Sequence, residues 1–331
     1  TVLRRSRGLA PAPLRLPVEV DPVLAVGGDL KNTFCLAAGQ WAWASQHLGD
    51  MGDLASLESF ERAVGLLSHL TAAGVAPIVA CDRHPGYRTH AWARGHTSAA
   101  DGPVAVGHHH AHVAALLAEH GVDGTTPVIG FAFDGTGHGD DGTAWGGEVL
   151  VADYVDAHRV AHLRPVGLPG GDAAVRHPWR TALAHLDAAG VPWDDDLAPV
   201  QAASRDERRV VAAQLAAGAA PTSSMGRLFD AVASLLDVRH HVTFEAQAAM
   251  ELEFLARSAT PGTGPALTFA LDDDGIDPRP VVRDLVAHRR AGAGVDVLAR
   301  AFHDAVVDAM VAVAARIRAA TGLGTVGLTG G

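Results

Sequence analysis

Lysine is all but missing from this sequence. Lys31 is its only lysine, and every other cation is arginine. Cysteine is almost as scarce. Cys35 and Cys81 are too few for a disulfide framework or a four-thiolate zinc site, and such usage points to a cytoplasmic protein. No run of about 20 uninterrupted apolar residues occurs, so no segment is expected to span a bilayer. The opening residues 1–17 are rich in Arg and Pro and lack the apolar stretch of a signal peptide. Positive charge is also short: 26 Lys plus Arg against 37 Asp plus Glu leaves a formal charge of −11. A chain this acidic is a poor non-specific partner for nucleic acid or an anionic membrane. There is no Walker A sequence, no GxSxG and no Ser-His-Asp order, and neither cysteine carries the local signature of a nucleophile.

What is present reads as a folded α/β chain. Its 331 residues, 48% of them hydrophobic, suit about two domains or one bilobal unit and exclude a disordered tail. Short apolar runs predict strands at 23–26, 33–37, 77–81, 128–133, 148–152, 158–163 and 325–328. Helical periodicity predicts helices at 57–73, 111–119, 179–189, 205–217, 226–236, 244–257 and about 295–320. Residues 134–142 read as a Gly- and Asp-rich loop and residues 273–277 as a polar turn. Hairpins starting near 23 and 128 resemble each other and suggest a duplicated lobe. Residues 1–17 read as a linker or the tail of a preceding domain. The final strand is followed only by a Gly-rich turn, where a helix is normally expected, so the sequence reads as C-terminally truncated.

Four constellations carry candidate chemistry. In GHHHAH, His108 and His112 lie four apart and share one helix face, a spacing that brings two imidazoles to one metal ion. The alternative is a solvated or core-satisfied histidine cluster. The Glu of HExxH is missing, which removes the usual base of a zinc protease. In FDGTGHG a strand delivers Asp134, a candidate hard oxygen ligand, into a stretch where Gly135, Gly137 and Gly139 are expected to leave backbone N–H groups open to an anion. Asp140 and Asp141 beside it read as solvated loop acids. In GGDLKNT the lone lysine sits at a Gly-rich turn, suited to a phosphate oxygen; a surface lysine in a hairpin is the alternative. In TSSMGRLFDAVASLL, Ser223 or Ser224 is placed to cap a helix. Asp230 on that helix is a candidate for ribose hydroxyls or simply a solvated helix acid.

Taken together, LAVGGDLKNTFCLA, HLGDMGDLASLESF, GHHHAHVAALLAEHG, FAFDGTGHGDDGTAWGGE, LRPVGLPGGDAAVRHPWR, TSSMGRLFDAVASLL and GLTGG resemble the Kae1-like domain of HypF, the carbamoyltransferase of NiFe hydrogenase maturation. The resemblance runs from about Leu24 to Gly331. It implies an ASKHA (actin/sugar-kinase/Hsp70-like) fold of two lobes, 18–125 and an incomplete 126–331. Residues 1–17 would be the remnant of a YrdC-like domain. It further implies that Lys31, Asp134, Gly135, Thr136, Gly137 and Asp230 meet ATP or carbamoyl adenylate, with Lys31 and Asp134 catalytic. His108, His112 and Asp134 would hold a divalent metal, Fe2+ or Zn2+. Within FEAQA, Ala246 replaces a glycine of the family pattern. The implied reaction is carbamoyl transfer to the C-terminal cysteine of HypE, the adenylate being made from carbamoyl phosphate and ATP by the YrdC-like domain of the same polypeptide. The alternatives are an O-carbamoyltransferase for a small hydroxylated metabolite, a tRNA threonylcarbamoyl transferase (disfavoured by the acidic charge), and a non-catalytic nucleotide-binding module that docks HypE.

Overall fold

The computed structural model describes residues 9–331 except 11, 72, 75 and 274. The chain divides into two compact units, the second running from Pro127 to Gly331. Residues 1–8 and 11 of the stretch read as a linker lie outside the described residues. The end of that stretch is already strand.

The first unit consists of β1 (Leu14–Ala25), β2 (Cys35–Ala44), α1 (Leu54–Leu70), β3 (Ile78–Asp82), α2 (Arg88–His96), β4 (Val104–Val106) and α3 (His108–Glu119). Its sheet has the order β2-β1-β3-β4. β1 and β2 are antiparallel, while β3 runs parallel to β1 and β4 parallel to β3. Both strands of the hairpin extend well beyond the short runs expected from the sequence. The register of β1 breaks between Arg15 and Val20 and again between Val20 and Val23. Pro17 and Pro22 fall in these two gaps, where a residue without an N–H cannot continue the ladder. Phe60 of α1 packs edge-on against Phe34 and Trp92 at centroid distances of 5.5 and 5.0 Å, fixing helix to sheet.

The second unit repeats this start. β5 (Val128–His138) and β6 (Ala144–Ala152) form an antiparallel hairpin. It is followed by β7 (Ala157–His162), β8 (Val166–Gly167), α4 (Asp172–Arg176), α5 (Pro178–Ala188), α6 (Ala198–Gln201), α7 (Arg205–Ala216) and β9 (Pro221–Thr222). Then come α8 (Met225–Leu235), α9 (Gln247–Ser258), β10 (Ala270–Asp272), β11 (Gly275–Asp277), α10 (Arg279–Arg290), α11 (Val295–Thr321) and β12 (Val326–Thr329). The sheet order is β12-β5-β6-β9-β8, with β7 also on β6. β12 joins β5 in parallel, as β3 joins β1 in the first unit.

Helix α8 is enclosed on all sides. Leu228 and Val232 pack into a core with Phe131, Val149 and Phe302, whereas Ala231 and Leu235 face Trp179 and Leu183 of α5. Any polar group on α8 is therefore buried by its neighbours.

Three expectations are corrected. The stretch Asp134–Gly142 is not a loop throughout: β5 continues to His138, with a register shift between Phe133 and Gly137, so Asp134 to Gly137 lie in an irregular stretch of strand. Helix α9 begins at Gln247, not at 244, because Ala246 is left-handed with φ 60°. Of the 273–277 stretch read as a polar turn, Gly275–Asp277 is a buried strand. Asp277 tolerates that burial because Arg279 clasps its carboxylate (2.5 to 2.9 Å) and Arg164 lies 3.4 Å away. Among the described residues no helix is long and apolar enough to cross a membrane.

Candidate functional site

In the first unit the turn GGDLKNT joins β1 to β2. Gly27 has φ +71°, and a Cβ there would strike the carbonyl oxygen of Thr33. Asn32 is buried and ties the turn inward. Its amide donates to the carbonyls of Val26 (2.8 Å) and Gly28 (2.7 Å). Lys31 is exposed, takes a left-handed φ of 50°, and donates its backbone N–H to Asp50 at 2.8 Å. Asp29 reaches across to α2. Its carboxylate accepts the N–H groups of Arg88 (2.8 Å) and Thr89 (3.0 Å) and the Thr89 hydroxyl (3.1 Å). Those are N–H groups a helix start leaves without intrahelical partners.

His108 opens α3 and His112 follows one turn later. Their rings are 4.9 Å apart, centroid to centroid, at 73°. The Nδ1 of His108 lies 2.9 Å from Oδ2 of Asp82, at the end of β3, and Oδ1 of Asp82 accepts the His84 N–H at 2.8 Å. Burial alone would raise the Asp82 carboxyl. The hydrogen bonds from His108 and His84, with the charges of those imidazoles, outweigh it and hold Asp82 below its ordinary value. Asp82 is thus an acceptor, so Nδ1 of His108 carries the proton and the lone pair resides on Nε2. This is the tautomer that suits a metal-ligating histidine. Cys81, next door, is buried and its thiol is pushed up by burial and by Asp82, which makes it a poor nucleophile.

In the second unit Asp134 is buried within the irregular stretch of β5, and its Oδ1 accepts the N–H of Gly135 at 2.6 Å. Ser224 is the N-cap of α8: its hydroxyl oxygen accepts the Arg227 N–H and its proton points at the carbonyls of Asp134 and Gly135. The approach is close enough to demand glycine. A Cβ on Gly146 or Gly226 would meet the backbone of Asp134 or Gly135. Asp230 is not solvated. It is buried on α8 with Arg227 Nη2 at 2.9 Å, and burial, opposed by Arg227, pushes its carboxyl up to about 6. That contact is an ion pair by distance only, since Oδ2 of Asp230 accepts no hydrogen bond. Arg227 Nη2 also lies 3.6 Å from the Cβ position of Gly135, so Gly135 and Asp230 flank one guanidinium. Thr136 is exposed on the irregular stretch, and Gly137 pairs with Trp145.

Residues 130–331 match the family described as carbamoyltransferase, Kae1-like domain, second subdomain, and residues 19–119 match the HypF Kae1-like domain. The chain belongs to the HypF family. It is 44% identical over 279 residues to carbamoyltransferase HypF2 of Cupriavidus necator, covering 83% of this chain and 34% of that protein. It is 40% identical to carbamoyltransferase HypF of Rhizobium leguminosarum bv. viciae, over 99% of this chain and 42% of the relative. A crystal structure of full-length HypF in its phosphate- and nucleotide-bound form superposes with a TM-score of 0.89 at 37% identity, over 99% of this chain and 51% of that one. The chain thus spans roughly a third to a half of these HypF proteins.

Several residues of this chain were not singled out by sequence. Asp82, Asn32 and Asp29 are three. Glu148 is a fourth: it is buried, accepts the N–H groups of Gly146 (3.1 Å) and Gly147 (3.2 Å), takes a short hydrogen bond from Ser223, and pairs with Arg159 at 3.1 Å. Asp141, read as a solvated acid, organises the tip of the β5–β6 hairpin by accepting from Thr143 and from the Trp145 indole. The run LPGGDAAVRHPWR also acquires a physical account. Gly170 and Gly171 take positive φ at its bend, the Arg180 guanidinium lies 4.7 Å over the Trp179 ring, and His177 Nδ1 meets His241 Nδ1 at 2.9 Å. Burial, then the neighbouring His241, Arg180 and Arg176, lower the His177 pKa against an opposing pull from Glu207.

Proposed function

We propose that this chain is the transfer domain of a cytoplasmic HypF-type carbamoyltransferase. Carbamoyl adenylate, made from carbamoyl phosphate and ATP by a YrdC-like domain of the same polypeptide, is the donor. The acceptor is the C-terminal cysteine of HypE. The acceptor thiolate attacks the carbamoyl carbon, an S–C bond forms, and the C–O bond to the phosphate breaks with its electron pair leaving on AMP. The thiol proton is released to solvent. The observation that carries this reading is the family match over both segments, combined with a buried Asp134–Ser224–Arg227–Asp230 arrangement built around glycines.

Each residue has a role by its chemistry. Lys31 offsets negative charge on the departing AMP, and Gly135, Thr136 and Gly137 let its phosphate come close to the backbone. Asp230, a buried acceptor, suits ribose hydroxyl donors. His108, His112 and Asp134 are the residues that would hold a divalent metal, Fe2+ or Zn2+. The Asp82-set tautomer of His108 fits that duty. When bound, such an ion supplies Lewis acidity to the adenylate phosphate. No nucleophile is required of this chain, in keeping with the buried, raised Cys81 thiol.

The test is carbamoyl transfer to a HypE tail peptide by the intact HypF polypeptide, with metal content measured on the same samples. His108→Ala and His112→Ala are expected to lose both metal and transfer. Unchanged metal and unchanged transfer defeat the assignment, and a preference for alcohol acceptors over the peptide thiol moves it to O-carbamoyl transfer.

A further inference from the structure

We infer that Asp82 is a positioning residue that dictates which ring nitrogen of His108 is left to bind metal. The inference rests on the metal reading above and deepens it. Two donors converge on the Asp82 carboxylate, the backbone N–H of His84 at 2.8 Å and Nδ1 of His108 at 2.9 Å. They are unequal. The His84 N–H is a donor under all conditions, whereas an imidazole nitrogen is donor or acceptor according to where its proton sits. A carboxylate offers lone pairs to both, so His108 places its proton on Nδ1 and keeps Nε2 as the ligating atom.

The carboxylate is held from both ends. Asp82 closes β3, which is paired on both sides, with β1 and β4. The segment after it cannot swing away, because Asp29 grips the first turn of α2 through Arg88 and Thr89. The same short connection therefore joins the Lys31 turn to the imidazole pair within one unit.

The geometry makes an unusual demand on substitution. In Asp82→Asn one carboxylate oxygen becomes an NH2 group. The remaining oxygen must serve the His84 N–H, so the NH2 faces His108 Nδ1, which has to become an acceptor. The proton moves to Nε2 and the metal lone pair is lost, although the side chain has barely changed in size. In Asp82→Ala the carboxylate's hold on the tautomer is gone, and metal can select the favourable one. The nearly isosteric variant is therefore the more damaging of the two.

Two measurements test this on the intact HypF polypeptide. Zn2+ affinity is read by competition with a chromophoric chelator, and the His108 tautomer by 15N shifts of histidine-labelled metal-free protein, assigned by their loss in His108→Gln. The expected results are a proton on Nδ1 in the parent, a proton on Nε2 in Asp82→Asn, and Zn2+ binding about 10- to 100-fold weaker in Asp82→Asn with a smaller loss in Asp82→Ala. A parent His108 protonated on Nε2, or an Asp82→Ala loss equal to or larger than that of Asp82→Asn, overturns the inference. A parent that binds no Zn2+ overturns the metal reading instead, while the tautomer exchange between parent and Asp82→Asn still decides the role of Asp82.

Discussion

The hydroxyl of Ser224 sits 2.7 Å from the carbonyl oxygen of Gly135 and 3.0 Å from that of Asp134, while accepting the Arg227 N–H at 3.1 Å. One side chain thereby starts helix α8 and fastens the irregular stretch of β5. Ser224→Ala removes both functions at a buried position. It is expected to lower stability by about 1–3 kcal/mol, measured by urea unfolding, and, on the proposed reading, to weaken nucleotide binding because the stretch 135–137 loses its anchor. Stability equal to the parent contradicts this.

Asp29 bridges the Lys31 turn to α2 by three hydrogen bonds. Asp29→Ala should destabilise the first unit by about 1–2 kcal/mol as α2 loses these acceptors. Trp92, on that helix, offers a fluorescence probe of its unfolding. Lys31→Met, at an exposed position, should stay within about 0.5 kcal/mol of the parent yet reduce transfer. A large stability loss in Lys31→Met would mean that the lysine serves the fold.

The raised carboxyl of Asp230 makes stability depend on pH in a definite direction. Its value is about 6 in the fold against an ordinary 3.8, so between those values the native state binds more protons than the unfolded one. Stability from this group is present below about 3.8 and declines as pH rises through 6, by on the order of 3 kcal/mol in all. Urea midpoints of parent and Asp230→Asn compared at pH 4.5 and 7.5 should show a gap that shifts in the parent's favour at the lower pH. A gap independent of pH refutes this.

Ala246 holds φ 60° and ψ 9° immediately before α9. A left-handed residue with a Cβ costs about 1–2 kcal/mol, part of which glycine returns through its unfolded-state entropy. Ala246→Gly is therefore expected to stabilise by about 0.5–1 kcal/mol, read as a higher urea midpoint. A lower midpoint would show that the methyl group contributes packing.

Much of this arrangement was legible beforehand because it is local. The four-residue spacing of His108 and His112 sets their shared face, and the serine pair before a helical pattern marks the cap, which the fold assigns to Ser224. What was not legible depends on residues distant in sequence. Asp82 gains its meaning only when β3 pairs beside β1 and brings it to His108, 26 positions later. Asp29 looks like any turn acid until α2 arrives, and α2 itself (RTHAWARGH) buries only Thr89 and Ala93, leaving almost no apolar period to read. Asp230 looked like a possible solvated acid because its own helix does not reveal that α5, α9 and α11 close around it. The buried strand at Gly275–Asp277 was hidden by its charge, which is neutralised by Arg279 and Arg164.

The exposed GGDLKNT turn has a practical corollary. Lys31 is the only lysine of this sequence, so amine chemistry meets one side chain within it. Reductive methylation with 13C-formaldehyde, which keeps the ammonium charge, would place a single isotopic side-chain tag in this segment, at that turn.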